Sequence, residues 1–186
     1  MSAVSGATYR GPVRLVLFDV DGVLTDGLLH VTAEGEFMKS FHAHDGVAVA
    51  LLRAHGIRAG ILSGKHSGAL AWRAKQLGID VLVTGCDDKG AGYADIKARQ
   101  QVDDHEIAYV GDDVNDLAVI ERVGVSYAPA DAHRLVRARV DHVARTAGGR
   151  GVAREVAEHL LTESGLSLDD AYRPLLERWS GHDIVQ

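Results

Sequence analysis

Cysteine is nearly missing from this chain: Cys86 is the single one among 186 residues. Its solitude excludes an intrachain disulfide and a cysteine-built metal cluster. No apolar run approaches the ~20 residues that a membrane-spanning helix needs. The opening MSAVSGATYRGP lacks the apolar stretch of a secretory signal. Basic residues are in the minority. Twenty Lys and Arg face 26 Asp and Glu, a net charge of −6, which argues against a nucleic-acid partner. The ten histidines form no HExxH arrangement, so most are read as surface or packing residues. Internal repeats and low-complexity linkers are also missing. Together these absences point to a soluble cytoplasmic protein.

What is present fits one globular domain spanning residues 1–186, with 46% hydrophobic and 25% charged residues. Apolar runs at Val13–Phe18, Ile57–Leu62, Ile79–Val83, Ile107–Val110 and Gly124–Ala128 read as strands, with one more short strand over Val140–Ala144. Helical patterns alternate with them: Asp45-Gly46 opens one that Gly56 stops, and others cover His66–Leu77, Lys89–Gln101 and Leu117–Val123. Two closing helices cover Gly151–Leu161 and Leu168–Trp179. In the last, Leu168, Tyr172, Leu175, Leu176 and Trp179 share one apolar face, read as packing. The segments Leu28–Thr32 and Glu36–Phe41 flank Ala33-Glu34-Gly35 and read as a β-hairpin. Strands alternating with helices predict an α/β fold, a doubly wound parallel sheet covered on both faces. In such sheets ligands bind beyond the carboxyl ends of the strands.

Those ends carry the polar chemistry. The first strand runs into Asp19 and Asp21, which point the same way on an extended chain. The second ends at Ser63-Gly64-Lys65, the third is followed by Lys89 at a helix start, and the fourth ends in Gly111-Asp112-Asp113-Val114-Asn115-Asp116. Taken singly, each has a plain reading: a helix cap for Asp19 or Ser63, a solvated lysine for Lys89. Pooled on one edge, so many carboxylates call for a divalent cation with oxygen ligands, Mg²⁺ above all. With a hydroxyl and a lysine beside them, they suit phosphoryl transfer. One carboxylate serves as nucleophile, a second as acid and base, and Ser63 and Lys89 take the remaining phosphate oxygens.

DVDGVLTDG, ILSGK, Lys89 and GDDVND, in that order and spacing, resemble the four-motif signature of the haloacid dehalogenase superfamily. The resemblance implies the Rossmann-like fold of that superfamily, with Asp19 as nucleophile and Asp21 as general acid/base. It implies Mg²⁺ held by the Asp19 side chain, the Asp21 backbone carbonyl and Asp112, with Asp113 and Asp116 supporting the metal. Ser63, Gly64 and Lys89 would bind the phosphoryl group. Only 43 residues separate Asp19 from Ser63 and 25 separate Ser63 from Lys89. Neither gap holds a cap domain, so the hairpin over 28–41 is the candidate flap. A phosphomutase, which wants a cap to exclude water from its phosphoenzyme, does not fit.

The hairpin, the DG after it and the tail motif GGRGVAREV resemble the capless group of 3-deoxy-D-manno-octulosonate 8-phosphate phosphatases. That resemblance implies a homotetramer in which hairpins and tails complete neighbouring sites, with Arg150 as a substrate-binding residue. The motif GGRG itself reads as a flexible arm carrying one cation. Two positions depart from the group. His44 stands before the DG where arginine is common, and Lys65 follows Gly64 where SGR or TGR is common. Both are expected to meet the substrate, so a nine-carbon sialic-type acid 9-phosphate is an alternative. A non-catalytic subunit attached to a sugar-activating enzyme is another, disfavoured because Asp19, Asp21, Ser63, Lys89 and Asp112 are all kept.

Overall fold

The computed structural model describes residues 9–180. Most of the opening stretch read for a signal, and the end of the closing segment, lie outside the described residues. Numbered in chain order, the strands are β1 (Leu15–Phe18), β2 (His30–Thr32), β3 (Gly35–Met38), β4 (Arg58–Leu62), β5 (Val81–Val83), β6 (Ile107–Val110), β7 (Val125–Ala128) and β8 (His142–Val143). The helices are α1 (Ala43–Ala54), α2 (Gly68–Leu77), α3 (Lys89–Gln100), α4 (Leu117–Ile120), α5 (Arg134–Arg137), α6 (Val152–Glu163) and α7 (Leu168–Ser180).

Six strands form one sheet in the order β5-β4-β1-β6-β7-β8, and every pairing is parallel. From β1 the chain winds outward through β4 to β5, then returns to the other side of β1 as β6. The strand order therefore reverses at β1, the place where doubly wound sheets open a crevice. Successive β1 side chains point to opposite faces. Val16 and Phe18 join an apolar cluster with residues of α1, α6 and α7, while Leu15 and Leu17 join another with Tyr93 and Ile96 of α3 and Val136 of α5. A strand buried on both sides has to be apolar throughout, and LVLF is.

Helix starts are set by capping rather than by apolar periodicity. The His42 side chain accepts a hydrogen bond from the His44 amide, which starts α1 before Asp45-Gly46. Ser67 caps α2, which therefore begins at Gly68, two residues later than His66. After β6, Asp113 and Asp116 form a reciprocal capping box around a tight 3₁₀ turn, Val114–Asp116. That turn leaves α4 only four residues. The four-residue α5 was not anticipated, being too short to show a period.

The hairpin is the two-stranded antiparallel unit β2–β3. It is shorter than its apolar residues imply, with Val31 and Phe37 more than 60% exposed and Leu28 and Leu29 also exposed. Phe41 is not part of that surface, since it packs against the main core. In α7 only Ala171 and Leu175 are buried, with Tyr172 packed against the core. Leu168, Leu176 and Trp179 are exposed, so the expected packing stripe is only partly buried.

Candidate active site

The ends of β1, β4 and β6 are level because their registers are fixed: Phe18 lies beside both Ile61 and Val110. The next residues are Asp19, Ser63 by way of Leu62, and Gly111-Asp112. The Asp19 amide continues the ladder by donating to the Val110 carbonyl at 2.9 Å. A cleft of about 300 Å³ opens here, lined by Asp19, Asp21, Gly27, Ser63, Gly64, Lys65, Lys89, Asp112, Asp113 and Asn115. Eight of these were singled out from sequence; Gly27 and Asn115 were not.

The floor is a buried ion cluster. Lys89, the first residue of α3, places Nζ 3.0 Å from Asp19 Oδ2 and 2.5 Å from Asp116 Oδ1. The same Asp116 oxygen accepts from the Tyr109 hydroxyl at 2.5 Å. Its other oxygen accepts from the Asp112 and Asp113 amides at 2.9 and 3.1 Å. Asp116 is fully buried and engaged on both oxygens, so it is a brace that holds the loop and the lysine. Burial alone would discharge Lys89, but Asp19 and Asp116 outweigh it and hold its ammonium above the ordinary lysine range.

Asp112 is the unbalanced member. Its Oδ1 is buried and has no hydrogen-bond partner among the described residues. Burial, then the neighbouring Asp19 and Asp116, push its carboxyl up to about 8. Burial and Asp116 likewise push Asp19 up to about 6, against the pull of Lys89. One oxygen from each of Asp19, Asp112 and Asp116 lies within 4.8 Å of the others. An orphaned carboxylate oxygen among like charges is what a hard divalent cation with oxygen ligands relieves, so this donor set fits Mg²⁺.

Gly22 makes that approach possible. Its φ is +87°, and a Cβ there would fall inside the Asp112 carboxylate. Ser63 is buried, and its Oγ accepts from the Lys65 amide at 3.3 Å. Lys65 reaches into the cleft, 3.8 Å from Asp21 Oδ2. Asp113 sits exposed at the rim, where its carboxylate caps the 3₁₀ turn by accepting from the Val114 amide at 2.7 Å.

Two expected residues do not reach this cleft. His44 is exposed on the first turn of α1, its ring edge-on to His42 at 4.6 Å. Arg150 is exposed on the tail and lines no part of the cleft. Nor is its segment a loose arm. The Gly149 amide donates to the Val23 carbonyl at 2.9 Å, and the Gly148 amide donates to Asp131 at 2.9 Å. A Cβ at Gly148 would fall on the Gly22 carbonyl. The glycines thus serve close backbone approach, as their type implies, but the surface approached is the loop that follows Asp19 and Asp21. A contact to the site also went unnoticed in the sequence. Lys39, just after β3, contacts Asp21 without lining the cleft, and no motif marks it.

Comparison with known proteins gives the family. The haloacid dehalogenase-like hydrolase family matches residues 54–156. The 3-deoxy-D-manno-octulosonate 8-phosphate phosphatase of Escherichia coli K12 is 40% identical over 181 residues, covering 91% of this chain and 96% of that protein. The cobalt-bound structure of the Haemophilus influenzae deoxy-D-mannose-octulosonate 8-phosphate phosphatase superposes with a TM-score of 0.83 at 39% identity, over 89% of this chain and 97% of that one. The Moraxella catarrhalis 3-deoxy-D-manno-octulosonate 8-phosphate phosphatase, solved with magnesium, phosphate and the sugar acid, superposes with a TM-score of 0.81 at 29% identity, over 90% and 94%. The chain belongs to the haloacid dehalogenase-like hydrolases. Within them its resemblance is to the 3-deoxy-D-manno-octulosonate 8-phosphate phosphatases, and it is a phosphoric monoester hydrolase. No helix among the described residues is long and apolar enough to cross a membrane.

Proposed function

We propose that this chain is a Mg²⁺-dependent phosphatase that hydrolyses 3-deoxy-D-manno-octulosonate 8-phosphate through an aspartyl-phosphate on Asp19. The observation that carries the reading is the orphaned Asp112 oxygen beside the buried Asp19–Lys89–Asp116 cluster, on the floor of a cleft that Ser63 also lines. The relatives above supply the substrate.

In this reading an Asp19 oxygen attacks phosphorus and the bond to the sugar oxygen breaks, with Asp21 giving that oxygen its proton. Asp21 then takes a proton from water. The water oxygen attacks phosphorus, and the bond to Asp19 breaks to release inorganic phosphate. Ser63, the Gly64 backbone and Lys89 hold the phosphoryl oxygens. Asp19, the Asp21 carbonyl and Asp112 would hold Mg²⁺, with Asp113 and Asp116 behind them; when bound, the ion offsets the negative charge gathered on the carboxylates and the phosphoryl group.

The 186 residues act as one catalytic unit that works as a cytoplasmic homotetramer, with the β2–β3 hairpin as flap. Exposed Leu28, Leu29, Val31 and Phe37 support this, since a two-stranded hairpin is marginal in water unless something covers it. His44 and Arg150, which do not line their own cleft, would serve a neighbouring copy's substrate. Lys65 in the cleft favours a second reading, a nine-carbon sialic-type acid 9-phosphate, because lysine lacks the bidentate fork of arginine.

Phosphate release from both sugar acid phosphates, with Mg²⁺ and after chelation, tests the proposal. The eight-carbon substrate should be preferred, chelation should stop turnover and Mg²⁺ should restore it. Full activity after exhaustive chelation would refute the metal. Failure on every sugar acid phosphate with Mg²⁺ present would refute the function.

A further inference from the structure

The hairpin end holds a buried lysine for which the reaction above has no use. Lys39 has only 2% of its side chain exposed, and its ammonium contacts Asp21 Oδ1 while lying 2.9 Å from Glu36 Oε2 on β3. It lines no part of the cleft, so it cannot be a substrate ligand in this arrangement. Lys65 is different: half its side chain is exposed, it lies in the cleft, and it faces the other Asp21 oxygen.

The two carboxylates after β1 are thus treated alike. Lys89 braces Asp19 against Asp116, and Lys39 braces Asp21 against Glu36. A lysine so enclosed stays charged only because both carboxylates stay put, and removing one partner leaves an uncompensated buried charge. Burial works to raise the Glu36 carboxyl, yet hydrogen bonds from Lys39 and from Ser67, the α2 cap, hold it below its ordinary value. The brace therefore joins the hairpin to Asp21.

We propose that Lys39 is a positioning residue: it pins one oxygen of Asp21, so that the other is presented to the leaving group. This rests on the reading of Asp21 as general acid. An alkyl phosphate needs that acid, because its alkoxide is a poor leaving group. 4-Nitrophenyl phosphate does not, because its phenolate leaves without a proton. The leaving-group dependence of kcat/KM separates positioning from mere folding, since kcat/KM covers the step in which the leaving group departs.

Lys39→Met should lower kcat/KM for the sugar acid phosphate about 100-fold, the scale of a lost general acid, and that for 4-nitrophenyl phosphate by no more than about threefold. Lys39→Arg should recover part of the loss. If Lys39→Met does not fold by circular dichroism, the double variant Lys39→Met/Glu36→Gln, which removes the lysine together with the charge of its hairpin partner, carries the same expectation. Equal losses on the two esters, or no loss, would overturn the proposal provided that Asp21→Asn shows the selective loss. If Asp21→Asn itself falls equally on both esters, the general-acid reading fails instead, and the role of Lys39 falls with it.

Discussion

Asp112→Asn should make the metal-free protein more stable while destroying its response to Mg²⁺. The Asp112 carboxyl is raised from 3.8 to about 8 by burial and by Asp19 and Asp116. A raised carboxyl means that the native state keeps a proton which the unfolded chain has already released. Stability therefore falls as pH rises from about 4 to about 8 and levels off above, with a slope of up to about 1.4 kcal/mol per pH unit. Solvent reaches the cleft, and Asp19 shares the strain, so about 2 kcal/mol of the window is the working magnitude for this partly solvated charge. Asparagine keeps the shape and removes the charge. For a chain of this size about 2 kcal/mol moves the melting temperature by about 4–8 °C. Thermal melts in chelator near pH 8 should place Asp112→Asn above wild type by that amount, and the gap should narrow toward pH 4. Saturating Mg²⁺ should raise the wild-type midpoint, because a ligand that binds only the folded state stabilises it, and should leave the variant where it was. A variant that melts below wild type near pH 8 without metal would refute the reasoning: the carboxylate would then be favourably held by the protein alone.

Three other outcomes follow from particular contacts. Asp19→Asn should fold normally and lose turnover to background, because an amide is a poor nucleophile; phosphate release and circular dichroism check the pair. Gly148→Ala should cost about 1–3 kcal/mol by overpacking, since its Cβ meets the Gly22 carbonyl, and should also slow turnover by shifting the loop after Asp21. Melting and kcat measured on one preparation would show whether both move. Arg150→Ala should raise KM for the sugar acid phosphate more than for 4-nitrophenyl phosphate, which lacks a second anionic group; equal changes would give Arg150 a structural role.

The centre of the sheet was legible because β1 and β6 are apolar on both faces and end in a change of chemistry. LVLF followed by Asp19, and IAYV followed by Gly111-Asp112, announce both the strand and the side on which the site lies. The parallel character of the sheet came from the alternation with helices, whereas its strand order did not. Element edges were less legible because capping decides them, and capping depends on one side chain finding one amide. His42 starts α1 in a stretch with no polar signal beyond two histidines. The surface of α7 was read from periodicity, which says that a stripe exists but not that a neighbour covers all of it. Leu175 found the core, and Leu176 and Trp179 did not.

The site divides along the same line. Residues that touch the cleft directly sit at or just beyond strand ends, so Asp19, Asp21, Ser63, Lys89 and Asp112 could be read as a set, though not one by one. Residues that hold those in place are bound to them over long separations: Lys39 to Asp21 across 18 residues, and Gly149 to Val23 across far more of the chain. Composition carries no trace of such a contact, because a lysine in a hairpin and glycines in a tail look solvated until the fold closes. Yet the carboxylates could not be collected without them. Four aspartates on one sheet edge repel, and burial, with that repulsion added to it, raises Asp19 and Asp112. The protein answers with two buried lysines, Lys89 on Asp19 and Lys39 on Asp21, and a glycine tail that packs against the backbone of the loop that follows. What remains unanswered is the one orphaned oxygen of Asp112, so a cation placed there completes a charge balance that the fold has already built to within a single ligand.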